Sequence, residues 1–170
     1  MVHADYSNLK KGDFSKTETL QHILDSYSAL ETDNWVANLS NCSSLLWHAY
    51  HSLNINVNWT GFYLTNDKKQ GTELILGPFQ GKVACQEIQF GKGVCGTAAS
   101  SRLTQLVPNV EEFPGHIACD GETKSEIVVP IVKDGETRGV IDLDCLDLEG
   151  FDEVDQEYLE KLAELISKCL

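Results

Sequence analysis

The chain has 170 residues, 42% of them hydrophobic and 23% charged, the length and composition of one soluble globular domain. Thirteen lysines and arginines against 26 aspartates and glutamates leave a formal charge of −13, and the basic residues are scattered. Nucleic acids and anionic membranes are bound through clustered Lys and Arg, so neither is an expected partner. No apolar run approaches a membrane span and the N-terminus lacks the apolar core of a secretory signal, which points to the cytoplasm, with the nucleus as the alternative.

Residues 1–15 are polar, contain paired lysines and Gly12, and are expected to form a flexible lead into a single domain over 16–170. From Ser15 to Leu30 the positions Leu20, Ile23, Leu24, Tyr27 and Leu30 recur at helical spacing. A second helical pattern runs through Trp35, Leu39, Leu46, Trp47, Tyr50 and Leu53 and stops at Asn54. The period then changes to two, and VNWTGFYLT, TELILGPF and KVACQEIQF read as consecutive strands. A GKG turn opens a short helix, VCGTAASSR, followed by the strand LTQLV and a long connection, NVEEFPGHIACDGETKS. SEIVVPIV, KDG and ETRGVIDLDCL read as an antiparallel hairpin. The chain closes on an amphipathic helix with Asp152 as its N-cap. This order is α+β, with an antiparallel sheet of about six strands. The terminal helices can share one sheet face; the short helix and the long connection are left for the other, where a ligand cavity would form.

Cys42, Cys85, Cys95, Cys119, Cys145 and Cys169 form no C-x-x-C pair and no zinc-finger spacing, so each is a small core hydrophobe or a reactive thiol. Cys42 and Cys145 read as core residues, and Cys169 either sits on a core stripe or frays with the terminus. Gly91-Lys92-Gly93-Val94-Cys95-Gly96 matches G-x-G-x-x-G, but the helix after it is too short for a dinucleotide crossover. The glycines instead permit a tight turn that sets Cys95 in the first turn of a helix, where unpaired N–H groups favour a thiolate. Cys85 alternates with Val83, Glu87 and Gln89 on its strand, and Cys119 lies in the long connection after His116. With Lys133-Asp134-Gly135 as a three-residue turn, Glu126 faces Asp142 and Lys124 lies near Asp144, all on one side of the sheet. A two-residue Asp134-Gly135 loop would instead set Glu126 against Leu143 and spoil the polarity pattern. Carboxyls this close raise one another's pKa, so that one can donate a proton near neutrality; they also suit an ammonium group or a divalent ion. Trp59 is a candidate aromatic wall.

The strings NWTGFY, LGPFQGKVAC, GKGVCGTAA, PGHIACDGETKSEIVVPI and GVIDLDC together resemble the free methionine-(R)-sulfoxide reductases, GAF-domain enzymes, over roughly residues 17 to 170. The resemblance implies a GAF fold and reduction of free L-methionine-(R)-sulfoxide with thioredoxin as reductant, in protection against oxidative stress, with no metal or cofactor. It implies that Cys119 attacks the sulfoxide sulfur and becomes a sulfenic acid. Cys85 or Cys95 then closes a disulfide that thioredoxin reopens. Glu126, Asp142 and Asp144 match the substrate-binding acids, and Trp59 the aromatic against which the substrate methyl packs. It further implies a homodimer through the terminal helices. Helix position alone favours Cys95 as the most acidic thiol, whereas the motif match gives the attack to Cys119. The alternatives are a non-catalytic GAF module that binds a small ligand, and a redox sensor using the same thiols.

Overall fold

Each of the two terminal helices starts where its sequence supplies a reciprocal cap. In the computed structural model, which describes residues 3–117 and 119–170, Ser15 caps α1 (Lys16–Leu30), with its Oγ accepting from the Glu18 N–H and Glu18 Oε1 accepting from the Ser15 N–H. Asp152 and Asp155 repeat the arrangement at α4 (Glu153–Ser167). Between them in sequence, α2 spans Trp35–Ser52. Ahead of α1, His3–Ser7 forms a 3-10 turn, Leu9 packs on the core, and His22 Nε2 lies 2.8 Å from the Tyr6 carbonyl oxygen.

Six antiparallel strands make one sheet: β1 (Val57–Thr65), β2 (Glu73–Gly81), β3 (Glu87–Gln89), β4 (Gln105–Val107), β5 (Ser125–Lys133) and β6 (Glu136–Cys145), in the order β3-β2-β1-β6-β5-β4. The three long helices cover one face. Leu20, Ile23, Leu46, Tyr50, Leu159 and Ile166 meet Phe62, Ile127, Val129, Ile141 and Leu143 there, and Cys42 and Cys145 are fully buried among them. The other face carries α3 (Gly93–Ser101) and a second, smaller cluster of Trp59, Tyr63, Leu74, Val94, Ala98, Val128 and Val140. The expected α+β division of the faces is therefore present.

Two local expectations are corrected. The third strand is shorter than KVACQEIQF: the chain leaves β2 at Gly81, and residues 82–86, Cys85 included, form a link before β3, fastened where the Leu76 N–H donates to the Gln86 carbonyl. The hairpin turns on Asp134-Gly135 alone, both at positive φ (53° and 76°), the geometry of a tight primed turn. Lys133 pairs Glu136 and Val132 pairs Thr137, after which a bulge at Arg138 shifts the register, so that Ile131 pairs Gly139 and Glu126 pairs Asp144. Glu126 thus faces Asp144 rather than Asp142. Lys124 lies beyond the strand, exposed, with its N–H donating to the Cys145 carbonyl. The bulge adds the one residue that returns every side chain to the face expected of it, so the three acids still share a side.

One buried carboxylate ties the helical layer together. Asp155, fully buried, accepts from Tyr50 Oη at 2.7 Å, from Lys16 Nζ at 2.6 Å and from the Asp152 N–H at 2.7 Å, joining α1, α2 and α4. Asp155→Ala leaves the buried Tyr50 hydroxyl and the Lys16 ammonium without their acceptor. It is expected to cost about 3 kcal/mol in urea unfolding, several-fold more than the exposed-pair control Glu157→Ala.

Candidate active site

The site is laid out by strand register. In the antiparallel ladders β1–β6–β5, Trp59, Asp144 and Glu126 fall in one row across the sheet, and Gly61, Asp142 and Val128 in the next row on the same face. Gly61 is required by close approach: a Cβ there would lie 2.4 Å from Phe79 Cβ. Phe79 from β2 can therefore stack on Trp59, with ring centroids 5.1 Å apart. Trp59 stacks on Tyr63 as well, donates from Nε1 to the Lys82 carbonyl at 3.2 Å, and is 4% exposed. These rings form one wall of a pocket.

The floor is acidic and largely buried. Glu126 and Asp142 are 7% and 5% exposed. Burial pushes all three carboxyls up, Glu126 and Asp144 well above the usual carboxylate range. Carboxyls this close titrate as one set, and the set retains a proton at pH values where separate carboxyls would have lost it.

Cys95 meets this floor from α3. The helix lies so close to β3 that a Cβ on Gly96 would sit 2.3 Å from the Gln89 carbonyl oxygen, which is what the last glycine of the G-x-G-x-x-G string is for. Cys95 Sγ consequently lies 3.2 Å from Asp142 Oδ2 and 3.9 Å from Glu126 Oε1. This corrects the expectation drawn from helix position. Burial first, then the Asp142 and Glu126 charges, push the thiol well above its ordinary value, and it is a protonated donor to Asp142.

Cys85 and Cys119 are joined by a disulfide, with Cα atoms 5.8 Å apart. Cys85 comes from the link after β2 and is half-buried; Cys119 comes from the connection between β4 and β5 and is exposed. Through Cys119 the bridge reaches the pocket that Trp59, Tyr63, Cys95 and the three acids line, together with Lys82, Lys92 and His116. All seven side chains singled out in the sequence thus converge, while Cys42 and Cys145 lie across the sheet and Cys169 lies 3.7 Å from Tyr27 Oη. Two supports were not read from the sequence. Tyr63 donates to the Cys85 carbonyl at 3.0 Å; its period-two spacing from Trp59 and Gly61 could have placed it on the site face. Asn58 Nδ2 donates to Asp120 Oδ2 at 3.1 Å and Thr123 Oγ1 at 3.0 Å, holding the strand to a loop some 60 residues on. No local pattern announces that.

A profile of the GAF domain matches residues 43–170. The free methionine-R-sulfoxide reductase of Saccharomyces cerevisiae is 64% identical over 169 residues, 98% of this chain and 93% of the yeast protein. The chain belongs to the GAF-domain family of free methionine-R-sulfoxide reductases. A solved structure of a GAF domain, 62% identical, has a TM-score of 0.95 and covers 99% of this chain and 96% of its own. The X-ray structure of the Neisseria meningitidis reductase in complex with its substrate, 38% identical, has a TM-score of 0.85 over 96% and 95% of the two chains.

Within this reductase scaffold Asn58 is the tie that sets the Cys119 loop against the sheet. Asn58→Ala removes two hydrogen bonds worth about 1 kcal/mol each. Amide exchange at residues 120–123 is therefore expected to speed up about tenfold or more, with the β5–β6 amides unchanged.

Proposed function

We propose that this protein reduces free L-methionine-(R)-sulfoxide to L-methionine, with thioredoxin as electron donor, in the cytoplasm and as part of the defence against oxidative stress. The observation that carries the reading is the Cys85–Cys119 disulfide set over a buried, proton-sharing acid floor. Identity with the yeast reductase and the substrate-bound Neisseria structure give the substrate class.

In this mechanism the substrate's methyl end rests on Trp59 and its sulfoxide oxygen points to Glu126. The Cys119 thiolate attacks the sulfoxide sulfur while Glu126 protonates the oxygen. Oxygen passes to the Cys119 sulfur, so one sulfoxide and one thiol become one thioether and one sulfenic acid, and methionine leaves. The Cys85 thiol displaces water from the sulfenic acid to form the disulfide, and the dithiol of thioredoxin reopens it, returning two electrons and two protons. Cys85 is favoured over Cys95 as the resolving thiol because it is the bonded partner, whereas the Cys95 hydrogen sits on Asp142. Asp142 and Asp144 keep Glu126 protonated and receive the substrate's ammonium group. A homodimer through the terminal helices accompanies the proposal.

With thioredoxin, its reductase and NADPH, addition of free methionine sulfoxide is expected to consume NADPH, and Cys119→Ser to abolish that consumption. Cys85→Ser retains one turnover per chain and leaves a sulfenic acid at Cys119 that dimedone traps; no adduct would exclude Cys119 as the attacking sulfur. Glu126→Gln, which keeps the hydrogen-bonding shape but has no acidic proton, is expected to lower kcat by about 10²–10⁴ with KM little changed.

A further inference from the structure

The acid floor and Cys95 together have the make-up of a soft-metal site. One ligand atom from each of Cys95, Glu126 and Asp142 lies within 4.8 Å of the other two, on three different elements, and all three residues are buried. A tetrahedral zinc ion with one thiolate and two carboxylate ligands needs sulfur–oxygen separations of roughly 3.5–3.7 Å. The Cys95 Sγ distances of 3.2 and 3.9 Å to Asp142 Oδ2 and Glu126 Oε1 bracket that edge without backbone movement. A separate observation points to a ligand: Asp142 Oδ1 is buried and has no hydrogen-bond partner among the described residues, although the same residue's Oδ2 is engaged by Cys95. A buried carboxylate oxygen left open costs free energy unless something cationic or protic meets it.

We propose that the floor of this pocket binds a thiophilic divalent cation of the Zn²⁺ class through Cys95 Sγ, Asp142 and Glu126, and that this ion and the sulfoxide substrate exclude one another. The sulfur ligand selects Zn²⁺, Cd²⁺ or Co²⁺ over Mg²⁺ and Ca²⁺. Three protein ligands are also too few for the six to eight oxygens that Ca²⁺ takes. On binding, the Cys95 S–H and the Glu126 carboxyl each release a proton to solvent as the metal–ligand bonds form, and no oxidation state changes. The fourth position faces the cavity and is filled by water. Asp144, paired with Glu126 in register, is placed to orient that ligand from behind. The ion occupies the place where Glu126 would protonate the sulfoxide oxygen, so it acts as a reversible inhibitor. That consequence rests on the reductase reading above, whereas metal binding does not.

The test uses the full-length chain in its disulfide form, where Cys85 and Cys119 are bonded and Cys95 is the pocket's free thiol. Titration with Cd²⁺ is expected to give a thiolate-to-metal charge-transfer absorption at one equivalent, displaced by Zn²⁺ and unaffected by excess Mg²⁺. Cys95→Ser should remove the band, and Cys169→Ser should leave it intact. Asp142→Asn, which keeps the thiol, should weaken Zn²⁺ by about 100-fold or more, since loss of even an outer partner costs 10–100-fold. Thermal unfolding with and without Zn²⁺ gives a readout that needs no band, with stabilisation expected in the disulfide-form chain and absent in Cys95→Ser. A band that survives Cys95→Ser, a response equal for Mg²⁺, or no binding to the folded chain would overturn the proposal. If the metal binds and turnover with methionine sulfoxide is absent, the site stands and the reductase reading falls. If both are present, Zn²⁺ should raise the apparent KM for the sulfoxide, and a chelator should restore it.

Discussion

Three carboxyl groups placed side by side on neighbouring strands and roofed by a helix cannot all stay ionised, and the rest of the site follows from that constraint. Glu126 and Asp142 are buried and Asp144 is half-buried beside Trp59, Tyr63 and α3, so charge on the three is penalised first by burial and then by one another. The least costly arrangement keeps a proton within the cluster and engages Asp142 from the Cys95 thiol. A sheet that was merely a scaffold would not retain such a cluster, because apolar residues in the same rows would pack without the penalty.

Electron and proton chemistry are divided between different thiols. Cys85 and Cys119 stand on segments outside regular strands and helices, where sulfur atoms can approach and separate with modest backbone adjustment. Cys95 is held in the first turn of a helix jammed against Gln89 and is electrostatically discouraged from ionising. The same residue type is thus a redox group in two places and a hydrogen-bond donor in the third, and environment alone sets the difference.

Most of the element order was legible in the sequence, because hydrophobic period and turn residues act locally. The helices from Lys16, Trp35 and Glu153, and the division of the sheet into two faces, came from spacing alone. What was misread depended on the other side of a contact. The hairpin was assigned the wrong turn because the bulge at Arg138, which reconciles a tight Asp134-Gly135 turn with the polarity of Glu126 and Asp142, leaves no mark in composition. The acidity of Cys95 was inverted because helix position is a local property, whereas its carboxylate neighbours arrive from residues 31 and 47 positions away. The Asn58 tie to Asp120 and Thr123 was invisible for the same reason.

The sheet is a single layer of backbone with opposite solvents of residue on its two sides. Ile127 and Leu143 drive into the helical core from the same strands that present Glu126, Asp142 and Asp144 to the pocket. Each acid is therefore flanked along its chain by an anchor in the far core, and any repacking under α1, α2 or α4 reaches the proton-sharing floor through one peptide unit. Substitution in that distant hydrophobic layer is a means of tuning the acids without touching them.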